Sequence, residues 1–442
     1  MQVSNPVQIP LWRQLQAAVV VICAVRTGNS GTAALESLPG ELRPGVQAIA
    51  FHVWRNLGRA EALRNQLVKT KPPLEADALL CISLALIWQD RDALYDAFTL
   101  VNQAVETAKR TKTMAQQAGF LNACLRRFLR ERGAMIAITD RDPVAVWNHP
   151  TWWIKRIQLE RPRDWQQVLA ASNAHAPMTL RVNAKRHTPT QYLERLRHAG
   201  IQATLQPGGA LVLAHPLPVN QIPGFSDGDV SVQDSAAQLA APLLMNACVI
   251  RPGMRVLDAC AAPGGKTGHL AELQAGDIVA LEVDALRARR ITENLVRLRL
   301  DATVVVADVG RPDDWWDGRQ FDAVLLDAPC TASGIVRRHP DIRWLRREAD
   351  ISQLAIQQRR LLNASWSLLS PGGHLLFCTC SLFLAEGETQ AQTFLANNTD
   401  AVRLPAIGHL MPQSGENTEL VADNPKSDHD GFFFALFQKV TV

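Results

Sequence analysis

The chain has 442 residues, of which 47% are hydrophobic and 20% charged, with a formal net charge of +4 and a pI near 8.7. That length exceeds one ordinary core, so two or three domains are expected, and the composition excludes a disordered chain. Eight cysteines without a C-x-x-C pair point away from a zinc site or a disulfide framework, and so mild a positive charge does not by itself imply nucleic acid.

Residues 1 to about 140 read as all-helical. Apolar residues recur at helical spacing over Leu11 to Val25, Val46 to Leu57, Ala60 to Leu67, Ala76 to Trp88 and Ala93 to Ala108, with Pro72 and Pro73 as a break. The apolar run Ala17 to Val25 is too short to span a bilayer. Only Arg13 lies ahead of it and no clear cleavage site follows, so a cytoplasmic chain with free thiols and no membrane association is expected. A further helix, Ala115 to Arg132, carries Phe120, Leu121, Cys124, Leu125, Phe128 and Leu129 on one face and Arg126, Arg127, Arg130 and Arg132 on the other. That basic face is either a solvated helix end or a phosphate-contacting patch.

From about 141 to 233 prolines punctuate short elements, and a small α+β module is expected. Met178 to Asn183 alternates like a strand, Thr190 to Ala199 reads as a helix with Tyr192, Leu193 and Leu196 inward, and Ala203 to Gln206 and Ala210 to Ala214 read as short strands. Lys155, Arg156, Arg161, Arg163, Arg181, Lys185, Arg186, Arg195 and Arg197 make the segment basic, and Trp147, Trp152, Trp153 and Trp165 interleave with them. Cations plus aromatic platforms suit single-stranded RNA, although most of these tryptophans fit equally as core anchors.

Residues 234–442 alternate strand and helix. Asp234 or Ser235 can cap the apolar run Ala236 to Met245. Strands are expected at Arg255–Leu257, Ile278–Glu282, Thr303–Val306, Ala323–Leu326 and His374–Cys378, and helices at Thr267–Leu273, Ala285–Leu298 and Gln353–Leu369. A helix over Glu386–Asn397 and an apolar strand over Gly431–Gln438 complete a doubly wound parallel sheet with a late antiparallel strand.

The informative stretch is Val256 to Leu270, VLDACAAPGGKTGHL, a strand, a small-residue loop and a helix start. A Walker A loop needs Gly five positions before Gly265, where Cys260 stands, and no G-x-G-x-x-G is present. Acids recur at strand ends: Asp258, Glu282, Asp308 and Asp327. An acid after the second strand suits a ribose, and Asp308 suits an adenine amino group. Two segments, Asp327-Ala328-Pro329-Cys330 and Cys378-Thr379-Cys380-Ser381, put thiols on the same edge, whereas Cys23, Cys81, Cys124 and Cys248 fit inert core. Thiols there suit the chemistry of the RNA (cytosine-5) methyltransferases, which these segments resemble: a thiolate adding to cytosine C6 makes C5 nucleophilic toward a sulfonium methyl, with an acid at N3 and a base for the C5 proton. Spacing alone does not choose between Cys378 and Cys380, which face the same way in an extended segment.

These motifs, with DAPCTASGIVRRHPDIRWLRR (Asp327 to Arg347), resemble the RNA (cytosine-5) methyltransferases of the RsmB type. LVNQAVETAKRT (Leu100 to Thr111) and NACLRRFLRER (Asn122 to Arg132) are similar to a NusB-like RNA-binding bundle, and HPTWWIKR (His149 to Arg156) to the start of that family's middle module. The resemblance covers nearly the whole chain. It implies an all-α NusB-like bundle over 1–140, a small α+β RNA-binding module over 141–233, and an α/β doubly wound Rossmann-like class I methyltransferase domain over 234–442. It implies S-adenosylmethionine as methyl donor, 16S rRNA as partner, no metal and no obligate protein partner. It also implies Cys380 as nucleophile through the Thr379-Cys380-Ser381 pattern, Cys330 in product release, and Asp327 as the acid. Carried over as donor contacts are Cys260, Ala261, Ala262, Pro263, Gly264, Gly265, Lys266, Glu282, Asp308 and Asp327. The sequence departs from the family's pattern at Glu282, where Asp is usual, with Asp284 a second candidate, and mildly at Thr331-Ala332-Ser333-Gly334. Lys266 is expected to meet the donor's carboxylate or RNA, and Arg337, Arg338, His339 and Arg343 the RNA backbone. A cytosine-5 enzyme for tRNA or another RNA is the nearest alternative.

Overall fold

The computed structural model describes residues 9–89, 94–249, 251, 253–273, 276–413 and 427–441. Two compact units divide the chain: Met1–Asn173 with His339–Arg347, and Ala174–Arg338 with Glu348–Val442.

The first unit is helical. Helices Leu11–Arg26, Arg43–Leu67, Leu74–Ile87, Ala97–Arg110 and Ala118–Thr139 pack around a core that includes Leu15, Val53, Trp54, Leu80 and Leu125. Arg43–Leu67 runs unbroken where hydrophobic spacing suggests two helices, because Gly58 between them is a packing glycine. A Cβ there would lie 2.3 Å from the Val144 carbonyl oxygen, so only glycine lets the short helix Pro143–Trp147 come this close. Helix Leu74–Ile87 is buried from Ala76 to Ile87 on every side. Its one buried carboxylate, Asp77, is held by Arg26 at 2.9 Å and by Arg64, the pairing a buried charge needs.

On helix Ala118–Thr139 the expected apolar face is buried at Leu121, Cys124, Leu125 and Phe128, but Phe120 is 36% exposed. Arg126, Arg127 and Arg130 lie exposed, whereas Arg132 donates to the Ile87 carbonyl at 2.9 Å and caps the neighbouring helix. Trp153 is fully buried, and Trp147 and Trp165 meet edge-on with centroids 5.0 Å apart, so these rings serve packing.

The second unit holds two sheets. Strands β1 (Thr179–Val182), β2 (Ala203–Leu205), β3 (Leu211–Leu213) and β4 (Val230–Val232) form an antiparallel sheet in the order β2-β3-β1-β4. Helix Pro189–His198 starts at a capping box made by Thr188 and Gln191, with proline at its first position, and buries Tyr192 and Leu196 against the sheet. Arg181, expected at an RNA surface, is 3% exposed. Its guanidinium pairs with Glu272 at 2.8 Å and donates to the Gly265 carbonyl at 2.6 Å. Strand alternation turns it inward, where it anchors the helix that follows the glycine loop.

The larger sheet contains β5 (Arg255–Asp258), β6 (Asp277–Glu282), β7 (Thr303–Val306), β8 (Phe321–Asp327), β9 (Leu369–Thr379), β10 (Ala401–Leu410) and β11 (Phe432–Lys439). Its order is β10-β11-β9-β8-β5-β6-β7, with β5 to β9 parallel and β11 antiparallel to both of its neighbours. The apolar runs of β8 and β9 are buried on both faces by flanking helices, as a doubly wound sheet requires. β10 has no signal in the sequence: Pro405 and Gly408 interrupt it, and its register with β11 shifts between Leu404 and Gly408. The chain runs from β5 outward through β6 to β7, then returns to β8 on the other side of β5. That reversal opens a crevice at the carboxyl ends of β5 and β8.

Candidate active site

The crevice is built from the β5 loop upward. Ala259 N–H donates to Leu325 O and Ala261 N–H to Leu281 O, both at 2.8 Å, so the loop stays pinned to β8 and β6. The Ala262–Pro263 peptide is cis, and Gly264 follows at φ 95° as the cap of helix Gly265–Glu272. A Cβ on Gly264 would sit 3.0 Å from Ile291 Cα, so helix Ala285–Leu298 approaches the loop closely. Asp258, fully buried, accepts from Thr267 Oγ1 at 2.6 Å. Its Oδ1 has no partner among the described residues. Burial, helped by Asp327 and Glu282 nearby, pushes its carboxyl up to about 7 against the pull of Thr267 and Lys266.

A cavity of about 390 Å³ opens above this loop, lined by Cys260, Ala262, Glu282, Asp308, Asp327, Cys330 and Cys380 among others. A larger one, about 540 Å³, lies at the opposite edge of the sheet, where β5 to β8 begin. It contains no thiol, so size does not identify the site. Of the predicted loop residues only Cys260 and Ala262 line the crevice. Ala261 is buried, Gly264 makes the turn, and the Pro263 carbonyl accepts from Asn294 at 2.8 Å. Glu282, 4% exposed, accepts from Asp284 N–H at 3.1 Å and faces Arg287 at 3.5 Å. Asp284 caps helix Ala285–Leu298, accepting from Leu286 and Arg287 N–H, so its carboxylate is already engaged. Asp308 accepts from Gly310 N–H at 2.8 Å and pairs with Arg360 at 3.0 Å.

Lys266 reaches Asp327 Oδ2 at 2.5 Å, with its ammonium 5.5 Å from the Phe432 ring centre. Burial works against its charge, but Asp327 and Cys378 outweigh it and hold the amine protonated. Cys378 and Cys380 pack on the same side of the sheet, as their spacing predicts, yet their surroundings differ. Cys378 is fully buried, with Sγ 3.6 Å from Asp327 Oδ1. β9 ends at Thr379, and Cys380, just beyond it, reaches the cavity, its sulfur 3.4 Å from that of Cys330. The contact with Cys380, then burial, raises the Cys330 thiol well above its usual range. Burial raises Cys260 and Cys378 likewise.

Behind the thiols lies a set of buried polar groups that sequence reasoning passed over: Thr331, Ser333, Gln358, Ser381 and Glu386. The available signal was a hydroxyl residue directly after each cysteine and an acid six positions beyond Cys380. Of the arginines after the DAPC loop, Arg337 and Arg343 are fully buried and Arg338 is half-buried. Arg337 is fully buried and pairs with Asp428 at 2.7 Å and with Asp430, and Arg338 pairs with Asp234 at 2.8 Å and Asp430 at 2.5 Å. Arg343 is fully buried in the first unit, donating to Ser172 O at 2.8 Å and Asn173 Oδ1 at 2.7 Å. Guanidinium groups that are fully buried and engaged by protein oxygens do not reach phosphates, so the expected RNA contact fails at Arg337 and Arg343. Asp430 and Gly431 serve the fold: Asp430 holds the two arginines, and Gly431 N–H donates to Gly334 O at 2.9 Å.

The strand order and the glycine-bearing loop at its reversal define a Rossmann-like class I methyltransferase fold. A family model described as 16S rRNA methyltransferase RsmB/F matches residues 247–438, and one for the ferredoxin-like domain of RsmF/B-like methyltransferases matches 149–220. Proteins named ribosomal RNA small subunit methyltransferase B are similar along nearly their whole length. That of Vibrio vulnificus is 39% identical over 96% of this chain and 98% of its own. That of Pseudomonas putida is 41% identical over the same shares. The crystal structure of PH0851 shares the fold with a TM-score of 0.74 at 24% identity, covering 96% of this chain and 99% of its own. The chain therefore belongs to the RsmB/F family of 16S rRNA methyltransferases. Among the described residues no helix is long and apolar enough to cross a membrane.

Proposed function

We propose that the protein methylates C5 of a cytosine in 16S rRNA, with S-adenosylmethionine as donor and a covalent bond from Cys380 to cytosine C6 as intermediate. One observation carries this reading: Cys330 and Cys380, 3.4 Å apart, line the same cavity as Glu282, Asp308 and Asp327. The cavity fits the donor chemically. Carboxylates accept from ribose hydroxyls and an adenine amino group, and they favour a cationic sulfonium. Glu282 would hold the ribose, Asp308 the adenine and the β5 loop the remainder, and the bound donor supplies an electrophilic methyl group.

Cys380 adds as thiolate to C6, and the electron pair moves to C5, which becomes nucleophilic. Asp327, bound by Lys266 at 2.5 Å, is the acid placed to interact with cytosine N3, which takes up a proton as Cys380 adds. After C5 takes the methyl, a base removes the C5 proton, the electron pair returns to the ring, and the Cys380–C6 bond breaks. Cys330, held as a neutral thiol, is placed to return a proton to the departing Cys380 sulfur. A base paired in a helix must be exposed first, so a loop or flipped cytosine is the target. In this reading 1–140 and 141–233 are RNA-binding modules, 234–442 is catalytic, and the protein works in the cytoplasm.

The test uses tritiated S-adenosylmethionine, unmodified 16S rRNA, and wild-type, Cys330→Ala and Cys380→Ala proteins, reading both transfer and a denaturation-resistant protein–RNA adduct. Adduct in Cys330→Ala, with neither adduct nor transfer in Cys380→Ala, is the expected result. Undiminished transfer by Cys380→Ala would overturn the nucleophile, and transfer to tRNA alone would overturn the substrate.

A further inference from the structure

We propose that Glu386 is a positioning residue that locks the Cys330 loop and the Cys380 loop at one spacing. The proposal deepens the reaction argued above and rests on it for the meaning of that spacing.

Glu386 is fully buried, and among the described residues no cation pairs with it. Its carboxylate instead accepts four hydrogen bonds. Oε1 takes Thr331 N–H at 2.9 Å and Gln358 Nε2 at 3.2 Å, and Oε2 takes Thr331 Oγ1 at 2.5 Å and Ser381 Oγ at 2.6 Å. Thr331 follows Cys330 and Ser381 follows Cys380, so one side chain grips the residue after each thiol. Its own carbonyl accepts from Thr379 Oγ1 at 3.1 Å, on the other side of Cys380. Gln358 extends the grip to the residue before Cys330, donating to Pro329 O at 3.0 Å.

Further bonds tie the loops to each other. Ser333 Oγ accepts from Leu382 N–H at 2.8 Å and lies 3.1 Å from Ser381 Oγ, and Gly334 N–H donates to Cys380 O at 2.9 Å. Thr331 Oγ1 also lies 3.4 Å from Ser381 Oγ and 3.2 Å from Ser333 Oγ, and among the described residues Glu386 is the carboxylate that accepts from both Thr331 and Ser381. A buried carboxylate without a cation is a costly choice where stability alone is needed. It is the choice that accepts four donors at once, since an ionised carboxylate is all acceptor. Glu386 lines neither the cavity nor any other described pocket, so it acts through the cysteines and does not touch the substrate.

The experiment compares wild type with Glu386→Ala, Glu386→Gln and Thr331→Val in the full chain. The first readout is independent of methyl transfer: the rate of Cys330–Cys380 disulfide formation with diamide, which takes up the two thiol hydrogens, followed by peptide mass spectrometry. Glu386→Ala slows this cross-link at least tenfold, and Glu386→Gln, which keeps the length and one acceptor, recovers it to within about threefold. Thr331→Val removes one partner and leaves the carboxylate in place; it slows the cross-link too and decides the matter if Glu386→Ala does not fold. The second readout is turnover. An ångström of misplacement lowers kcat by roughly 10- to 100-fold with KM for S-adenosylmethionine within threefold, and adduct persists as in Cys330→Ala. Cross-linking at the wild-type rate in Glu386→Ala, or in Thr331→Val where that variant decides, overturns the proposal. A Cys330→Ala protein that forms no RNA adduct, with the wild-type cross-link still dependent on Glu386, instead sinks the proposed reaction and leaves the positioning intact.

Discussion

Replacing Asp258 with asparagine separates the charge of this residue from its shape. The carboxyl is fully buried at the end of β5, bonded to Thr267, and its pKa is pushed from the ordinary 3.8 to about 7. The folded state therefore binds the proton more tightly than the unfolded chain. Stability from this group is complete below about pH 4, falls as pH rises toward 7, and is level above. Between pH 5 and 7 wild type therefore loses about 2–3 kcal/mol relative to Asp258→Asn. Asparagine still accepts from Thr267 and does not titrate. Melting by calorimetry at pH 5 and pH 8 measures it: the difference between variant and wild type moves in favour of asparagine by roughly 6–10 °C at the higher pH. An identical difference at both values would refute the reasoning.

Arg181→Ala strands Glu272 in the interior and should cost about 3–5 kcal/mol by denaturant titration of the second unit's transition, whereas Arg181→Met with Glu272→Met regains most of it. The same Arg181→Met, Glu272→Met pair leaves the salt dependence of RNA binding unchanged, since Arg181 neutralises no phosphate. Gly334→Ala places a Cβ 2.1 Å from the Gly431 carbonyl, and a loss of about 1–3 kcal/mol is expected in the same titration. Cys378→Ala keeps adduct formation and transfer near wild type in the tritium assay, because its thiol lies outside the cavity that Cys380 enters.

Local pattern was enough for much of this protein. The apolar runs of β5 to β9 and β11, the helices between them and the glycine loop after Asp258 are each written in consecutive residues, and their alternation dictates a parallel doubly wound sheet. Acids and thiols just past those strands had to gather at one edge, since every parallel strand ends there. What the sequence did not show was decided by neighbours distant along the chain. β10 exists because β11 is there to pair with it. Arg181, Arg337 and Arg343 read as surface cations, and only the fold brings Glu272, Asp430 and the Ser172 carbonyl to bury them. The spacing of Cys378 and Cys380 leaves both facing one way, and it is the end of β9 at Thr379 that admits only the second to the cavity. Glu386 reads in the sequence only as the first residue of a helix. Its four donors come from three separate segments, a convergence that composition and periodicity do not record and that tertiary packing alone creates.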